Sequence, residues 1–216
     1  MKPTASYPTI TRQEQKLFTR QKLLDTTIDI ISAEGMTGLT LAKVAERAGL
    51  SRGICNFHFQ TKEQLMLEAF KTLYREHEQA WRAILEDERR SPEERLNLFI
   101  RTLLTPPLAD PRKLAVWLAF WGVAPHRQTY IDLCTEGDCQ YEQAIEELLR
   151  QLSPGQQEIN GLSLKTIAVW LTAMIDGIHL QYLIAPGRLT PDDAIRACQA
   201  FLGSYFQLSE KEPDGT

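Results

Sequence analysis

Between Leu39 and Lys62 the chain spells two short helices and the hinge that joins them. Thr40 is a side chain that caps a helix start, Leu41 to Ala48 is a helical run, and Gly49 supplies the backbone freedom of a tight turn. Leu50 is an apolar plug, and Ser51 is a second cap that opens a helix to about His58. Leu41, Val44 and Ala45 share one face of the first helix, while Ala42 and Ala48 are small enough for close helix approach. This is the arrangement of a helix-turn-helix, whose second helix enters the DNA major groove with its N-terminal residues at base edges. Arg52, Ile54, Asn56 and Phe57 fall there: a guanidinium can fork onto guanine and an amide can read adenine.

The same punctuation by caps and stops runs through all 216 residues and predicts an all-α fold of about nine helices. Glu14 to Glu34 carries a stripe of Leu17, Leu24, Ile28 and Ile31, with Gly35 as its stop. Thr61 starts a long helix, with Gln64 as its capping-box partner. Ser91-Pro92-Glu93-Glu94 and Thr190-Pro191-Asp192-Asp193 are further starts, as is Asp110-Pro111 ahead of Trp117 and Trp121. Pro125 to about Gln151 reads as a helix with a break near Gly137. Ser153-Pro154-Gly155-Gln156 is expected to cap the next, and Leu162 to Ala185 forms a long apolar helix. No strand pattern is expected. The resulting division is an arm at 1–13, a helix-turn-helix domain at 14–62, a larger helical domain at 63–208 and a frayed tail at 209–216.

Charge separates the two ends of the chain. Residues 1–62 hold nine lysines and arginines against five acids, a net of +4, and the remainder holds 15 against 23, a net of −8. A basic head on an acidic body suits an anionic partner for the head, phosphate above all. The apolar runs, such as Leu114 to Gly122, fall short of the roughly 20 residues that cross a bilayer, and the polar stretch Met1 to Thr11 is unlike a signal peptide. The cytoplasm, with no membrane partner, is the expected location. Cys55, Cys134, Cys139 and Cys198 complete no zinc pattern and are expected as free thiols. Neither a cofactor nor a metal is expected. Without a Gly-rich phosphate loop, an HExxH or a serine elbow, the sequence offers no enzyme motif.

Residues 38 to 65, G-L-T-L-A-K-V-A-E-R-A-G-L-S-R-G-I-C-N-F-H-F-Q-T-K-E-Q-L, resemble the DNA-binding signature of the TetR family of repressors. The resemblance runs from about Arg20 to Leu67. Ser51, Gly53, His58, Phe59 and Lys62 stand where that family has Ser, Gly, Tyr or His, Phe and Lys. It implies phosphate contacts from Thr40, His58 and Lys62, and base or backbone contacts from Arg52, Asn56 and Phe57. One position departs: Asn56 stands where most members have Tyr. Beside these readings, Phe59 fits the packing face under the next helix, and His58 fits an ordinary surface histidine. A lysine at the first position of a helix runs against the macrodipole, so Lys62 is better explained by a nearby phosphate.

The family resemblance also implies a homodimer built on the last two helices, because a palindromic operator needs a two-fold axis. In the larger domain the distinctive stretch is Val116-Trp117-Leu118-Ala119-Phe120-Trp121-Gly122. Trp117 and Trp121, four residues apart, place their indoles on one helical face, and paired aromatics make cages for quaternary ammonium groups. This stretch, with Ile175-Asp176-Gly177, is similar to the BetI subgroup, choline-responsive repressors, and implies a small-molecule inducer of choline or amine type. Candidate ligand residues are Trp117, Phe120, Trp121, Trp170, Asp176 and His179. Two tryptophans at this spacing fit a core as well as a cage. Asp176 fits a counter-ion for a bound cation as well as an internal partner. Two other readings stay open: a helical interaction protein whose headpiece binds no DNA, and a regulator of the same build that senses an uncharged metabolite.

Overall fold

Side-chain caps decide where the helices begin. In the computed structural model, which describes residues 11–123 and 128–208, α1 spans Arg12–Glu34. Its cap is Thr11, whose hydroxyl accepts from the Glu14 N–H at 3.2 Å while the Glu14 carboxylate accepts from the Thr11 N–H at 2.7 Å. Thr11 to Gln13, expected in a flexible arm, are therefore the reciprocal cap and first turn of a helix. The remainder of the arm, residues 1–10, lies outside the described residues, as does the tail from 209.

Two short helices follow, α2 (Leu41–Arg47) and α3 (Arg52–His58), and then α4 (Lys62–Leu85). The expected capping box at Thr61 is half formed. Thr61 accepts from the Gln64 N–H at 3.1 Å, but the Gln64 side chain reaches one residue further back, to the Gln60 N–H at 2.8 Å. α5 (Pro92–Leu104) and α9 (Pro191–Gly203) carry the complete boxes expected at Ser91/Glu94 and Thr190/Asp193. Between them lie α6 (Pro111–Val123), α7 (Gln128–Leu152) and α8 (Leu164–Ile184). α7 runs without interruption through Gly137, so the expected break is absent; its expected start at Pro125 lies outside the described residues.

Ser153-Pro154-Gly155-Gln156 caps no helix. The chain turns instead into a short antiparallel hairpin, β1 (Glu158–Ile159) and β2 (Leu162–Ser163), with Ile159 opposite Leu162. Asn160 and Gly161 take consecutive positive φ values of 52° and 78°, the backbone that a two-residue hairpin loop demands. Ser163, at the end of β2, is the true cap of α8, accepting from the Thr166 N–H at 3.1 Å.

The chain divides into two compact units, Met1–Thr72 and Leu73–Thr216. The division falls inside α4, not at its start near Lys62. Leu65, Met66, Ala69 and Phe70 of its first turns are buried, and Glu68 pairs with Arg20 of α1 within the first unit. In that unit α1 packs on α2 and α2 on α3. The buried stripe of α1 is Leu23, Leu24, Thr27, Ile30 and Ile31; Leu17, expected in it, is 61% exposed. Thr27 is accommodated there because its hydroxyl donates to the Leu23 carbonyl at 2.7 Å.

The second unit builds its core from α5, α7, α8 and α9 with the end of α4, around Phe99, Ile145, Leu149, Ile167, Leu171 and Cys198. Arg95 is buried in it: Nη1 donates to the Leu85 carbonyl at 2.6 Å, closing the C-terminus of α4, and Nη2 reaches Gln151 of α7. Among the described residues α8 alone is long and apolar enough, by length and average composition only, to match a membrane-crossing helix. Lys165, Asp176 and His179 break any unbroken run, yet the helix averages as apolar because both of its faces are. One face, with Leu164, Ile167, Ala168, Leu171, Ile175 and Ile178, is buried in the core of the unit.

Candidate DNA-reading face and ligand cavity

In the first unit the hinge is a Schellman motif. The Leu50 N–H donates to the Ala45 carbonyl at 2.9 Å and the Gly49 N–H to the Glu46 carbonyl at 3.0 Å, with Gly49 at φ +64°. Ser51 then caps α3 by accepting from the Ile54 N–H at 3.2 Å. Of α3 only Cys55 is buried, together with Phe59 at its end. Phe59 is a core residue, worth about 1.5–3 kcal/mol of burial. Arg52, Gly53, Ile54, Asn56 and Phe57 are left facing outward. A Cβ at Gly53 would meet only the Ser51 Oγ, at 3.8 Å, so packing does not require glycine there.

Charge gathers around this face. The Lys16 ammonium lies 5.2 Å from the centre of the Phe57 ring, and the Arg20 guanidinium 5.3 Å from that of Phe59. His58 is half-buried against the edge of Phe57, with ring centroids 5.3 Å apart. Partial burial pushes its imidazole below the usual histidine range, helped by Lys16 and Arg20, so the ring is neutral at pH 7. Thr40 spends its hydroxyl on capping α2, accepting from the Lys43 N–H at 3.2 Å. Lys62 donates to the Met36 carbonyl at 2.8 Å. Phosphate is therefore not needed to explain a lysine at the start of α4: it ties that helix to the loop after α1.

In the second unit a cavity of about 110 Å³ opens among α4, α6, α7 and α8. Trp117 and Trp121 of α6 line it, their ring centroids 6.3 Å apart and tilted by 53°. Trp117 is in turn 5.5 Å from Tyr74 and 5.9 Å from His77, both on α4. Tyr141 of α7 closes the wall, 5.4 Å from His77 and edge-on to Trp81 at 5.7 Å. Asp176 and His179 come from α8.

The two imidazoles are held neutral. Burial, then the neighbouring His179, pushes His77 down to about 4. Burial lowers His179 as well, opposed by its hydrogen bond to the Leu103 carbonyl at 2.9 Å, in which Nε2–H must be the donor. The described lining thus presents aromatic faces, one carboxylate and no lysine or arginine, an electron-rich wall suited to a small cation.

Residues 23–69 match the profile of bacterial regulatory proteins of the tetR family, and residues 92–207, more than half of the chain, match that of BetI-type transcriptional repressors, C-terminal. The chain belongs to the TetR family. It is a transcriptional regulator with a helix-turn-helix DNA-binding domain and a BetI-type C-terminal domain. An HTH-type transcriptional regulator BetI from Stenotrophomonas maltophilia is 26% identical over 190 residues, 88% of this chain and 94% of that one. Two crystal structures share the fold. A transcriptional regulator from Pseudomonas aeruginosa has a TM-score of 0.76 at 24% identity, covering 90% of this chain and 91% of that one. One from Saccharomonospora viridis, in complex with choline, has a TM-score of 0.75 at 23% identity, covering 87% and 96%.

In this TetR-family regulator the cavity gathers four of the six ligand candidates: Trp117, Trp121, Asp176 and His179. It leaves out two. Phe120, 1% exposed, is buried to one side of the tryptophans on α6 and does not line the cavity. Trp170 is 45% exposed and does not line the cavity. The aromatic residues of the lining missed by sequence reasoning are Tyr74, His77, Trp81 and Tyr141. The first three carried a signal, since their spacing of three and then four residues is one face of a helix.

Proposed function

We propose that this TetR-family regulator is a homodimeric repressor that holds a palindromic operator through α3 and releases it when a small cationic amine, choline or a relative, fills the cavity of the second unit. The observation that carries the ligand class is the juxtaposition of Trp117 and Trp121 at 6.3 Å with Tyr74 beside them and Asp176 in the same wall. Aromatic faces stabilise an ammonium group, and a carboxylate in an apolar setting favours a cationic neighbour. Choline in the Saccharomonospora viridis neighbour supports the same class.

On the DNA side, Arg52, Asn56 and Phe57 would meet bases or backbone from the exposed surface of α3, with Ser51 and Gly53 at its start. Thr40, His58 and Lys62 would meet phosphate. The neutral His58 would gain a proton as a phosphate approached. Dimerisation through α8 and α9 would place two copies of α3 about one DNA turn, roughly 34 Å, apart. The exposed Trp170 and Ile184 on α8 suit a covered surface in that dimer, within the cytoplasm. A ligand shifts DNA binding only through unequal affinity for two arrangements. α4 is the element through which the inequality would act, since it supplies the cavity wall at Tyr74, His77 and Trp81 and its first turns belong to the first unit.

Calorimetric titration with choline and other alkylammonium ions tests the ligand class. Saturable binding at up to millimolar concentration is expected; heats no larger than dilution for every amine tried would contradict it and favour an uncharged ligand. A gel shift with the promoter beside its own gene, at two salt concentrations, tests the DNA side. Affinity for the specific duplex should fall with salt yet stay above that for scrambled DNA.

A further inference from the structure

His77 is a polar side chain of the cavity wall that the capture of a cation leaves without a role. Its ring is partly buried, packs against Trp117 and Tyr141, and lines the cavity. Among the described residues neither ring nitrogen makes a hydrogen bond. The ring is partly buried and lines the cavity, so a polar group entering there can reach it and give it a hydrogen-bond partner.

We propose that His77 recognises the uncharged end of the ligand by a hydrogen bond to a hydroxyl, so that the cavity selects a cationic amino alcohol over a bare alkylammonium and over the zwitterion in which that carbon is a carboxylate. The inference rests on the amine reading of the cavity. A neutral imidazole offers one donor and one acceptor, and a hydroxyl can be either, so it satisfies the ring in both tautomers. An alkyl group in the same place leaves the ring desolvated and unpartnered. A carboxylate meets no positive charge: the described lining holds no lysine or arginine, Asp176 is itself an acid, and the Nε2–H of His179 is already given to Leu103.

The test compares three probes by calorimetry: choline, propyltrimethylammonium, which replaces the hydroxyl by a methyl group, and glycine betaine. The wild type is expected to bind choline about tenfold more tightly than propyltrimethylammonium, as one hydrogen bond of about 1.4 kcal/mol requires, and glycine betaine at least as weakly as the latter. In His77→Phe the choline affinity should fall to that of propyltrimethylammonium, whose own affinity should change less than threefold. His77→Gln, which keeps a donor and an acceptor, should retain the preference even if His77→Phe fails to fold. Equal binding of choline and propyltrimethylammonium by the wild type, or a preference that survives in His77→Phe, overturns the role of His77 while the amine reading stands. Failure of every ammonium probe to bind the wild type removes the amine reading and this inference with it.

Discussion

The Trp117 indole lies 5.9 Å, centre to centre, from the His77 imidazole. That contact joins α6 to α4, so the tryptophan pair and the histidine act on the same small volume from two helices.

Removing either indole should weaken amine binding without touching the core. Trp117→Ala and Trp121→Ala are each expected to lower choline affinity by about 3- to 30-fold, the range of a cation–π contact of 0.5 to 2 kcal/mol. Trp170→Ala should leave that affinity unchanged, because Trp170 is off the cavity. Calorimetry on the three variants decides it.

His77 also makes stability depend on pH. An unfolded chain protonates this histidine below about 6.5, whereas the folded protein resists protonation until about 4. Between those values the unfolded state binds more protons, so stability is lost as pH falls from 6.5 towards 4. Urea unfolding at pH 7.5 and pH 5 should show a drop of about 2 kcal/mol from this residue. His77→Phe should make the drop smaller by that amount. An unchanged drop would mean that the imidazole titrates normally.

Gly49 holds the hinge at φ +64° with nothing within 4 Å of where a Cβ would sit. Gly49→Ala therefore introduces conformational strain alone, about 1–2 kcal/mol. Thermal unfolding should show a midpoint lower by several degrees.

The outward residues of α3 allow recognition and folding to be separated. Arg52→Ala and Asn56→Ala remove exposed side chains, so stability should hold within about 0.5 kcal/mol. Affinity for the specific duplex should drop by about 1–3 kcal/mol, with a smaller loss for scrambled DNA. Lys62→Met should behave differently. It loses the bond to Met36, so it should lower stability by about 1–2 kcal/mol besides any effect on DNA. Urea titration and fluorescence anisotropy, run on the same preparations, report the two quantities.

Local chemistry was legible in the chain and tertiary convergence was not. Ser51, Ser91 and Thr190 announce helix starts because a cap is a bond between residues three apart. Thr11 with Glu14 carried the same signature, and Asn160-Gly161 carried that of a hairpin loop; both were readable signals that the helical stripe and the search for long strands passed over. Trp117 and Trp121 were found because their contact lies within one helix. Tyr141 was not, since nothing in its own segment says that α7 brings it to the wall facing α4. Trp170 misled because α8 is apolar on both faces, so periodicity gives no direction for a given side chain.

The most direct test of the whole account is release of DNA by ligand. Purified dimer is bound to a fluorescent duplex from its own promoter at moderate salt, and choline is titrated in while anisotropy is followed. Anisotropy is expected to fall to that of free DNA for the wild type, at concentrations matching the calorimetric affinity, and to need about 3- to 30-fold more choline for Trp117→Ala. A protein that stays monomeric, or that keeps its grip on DNA while saturated with the amine, would contradict the account.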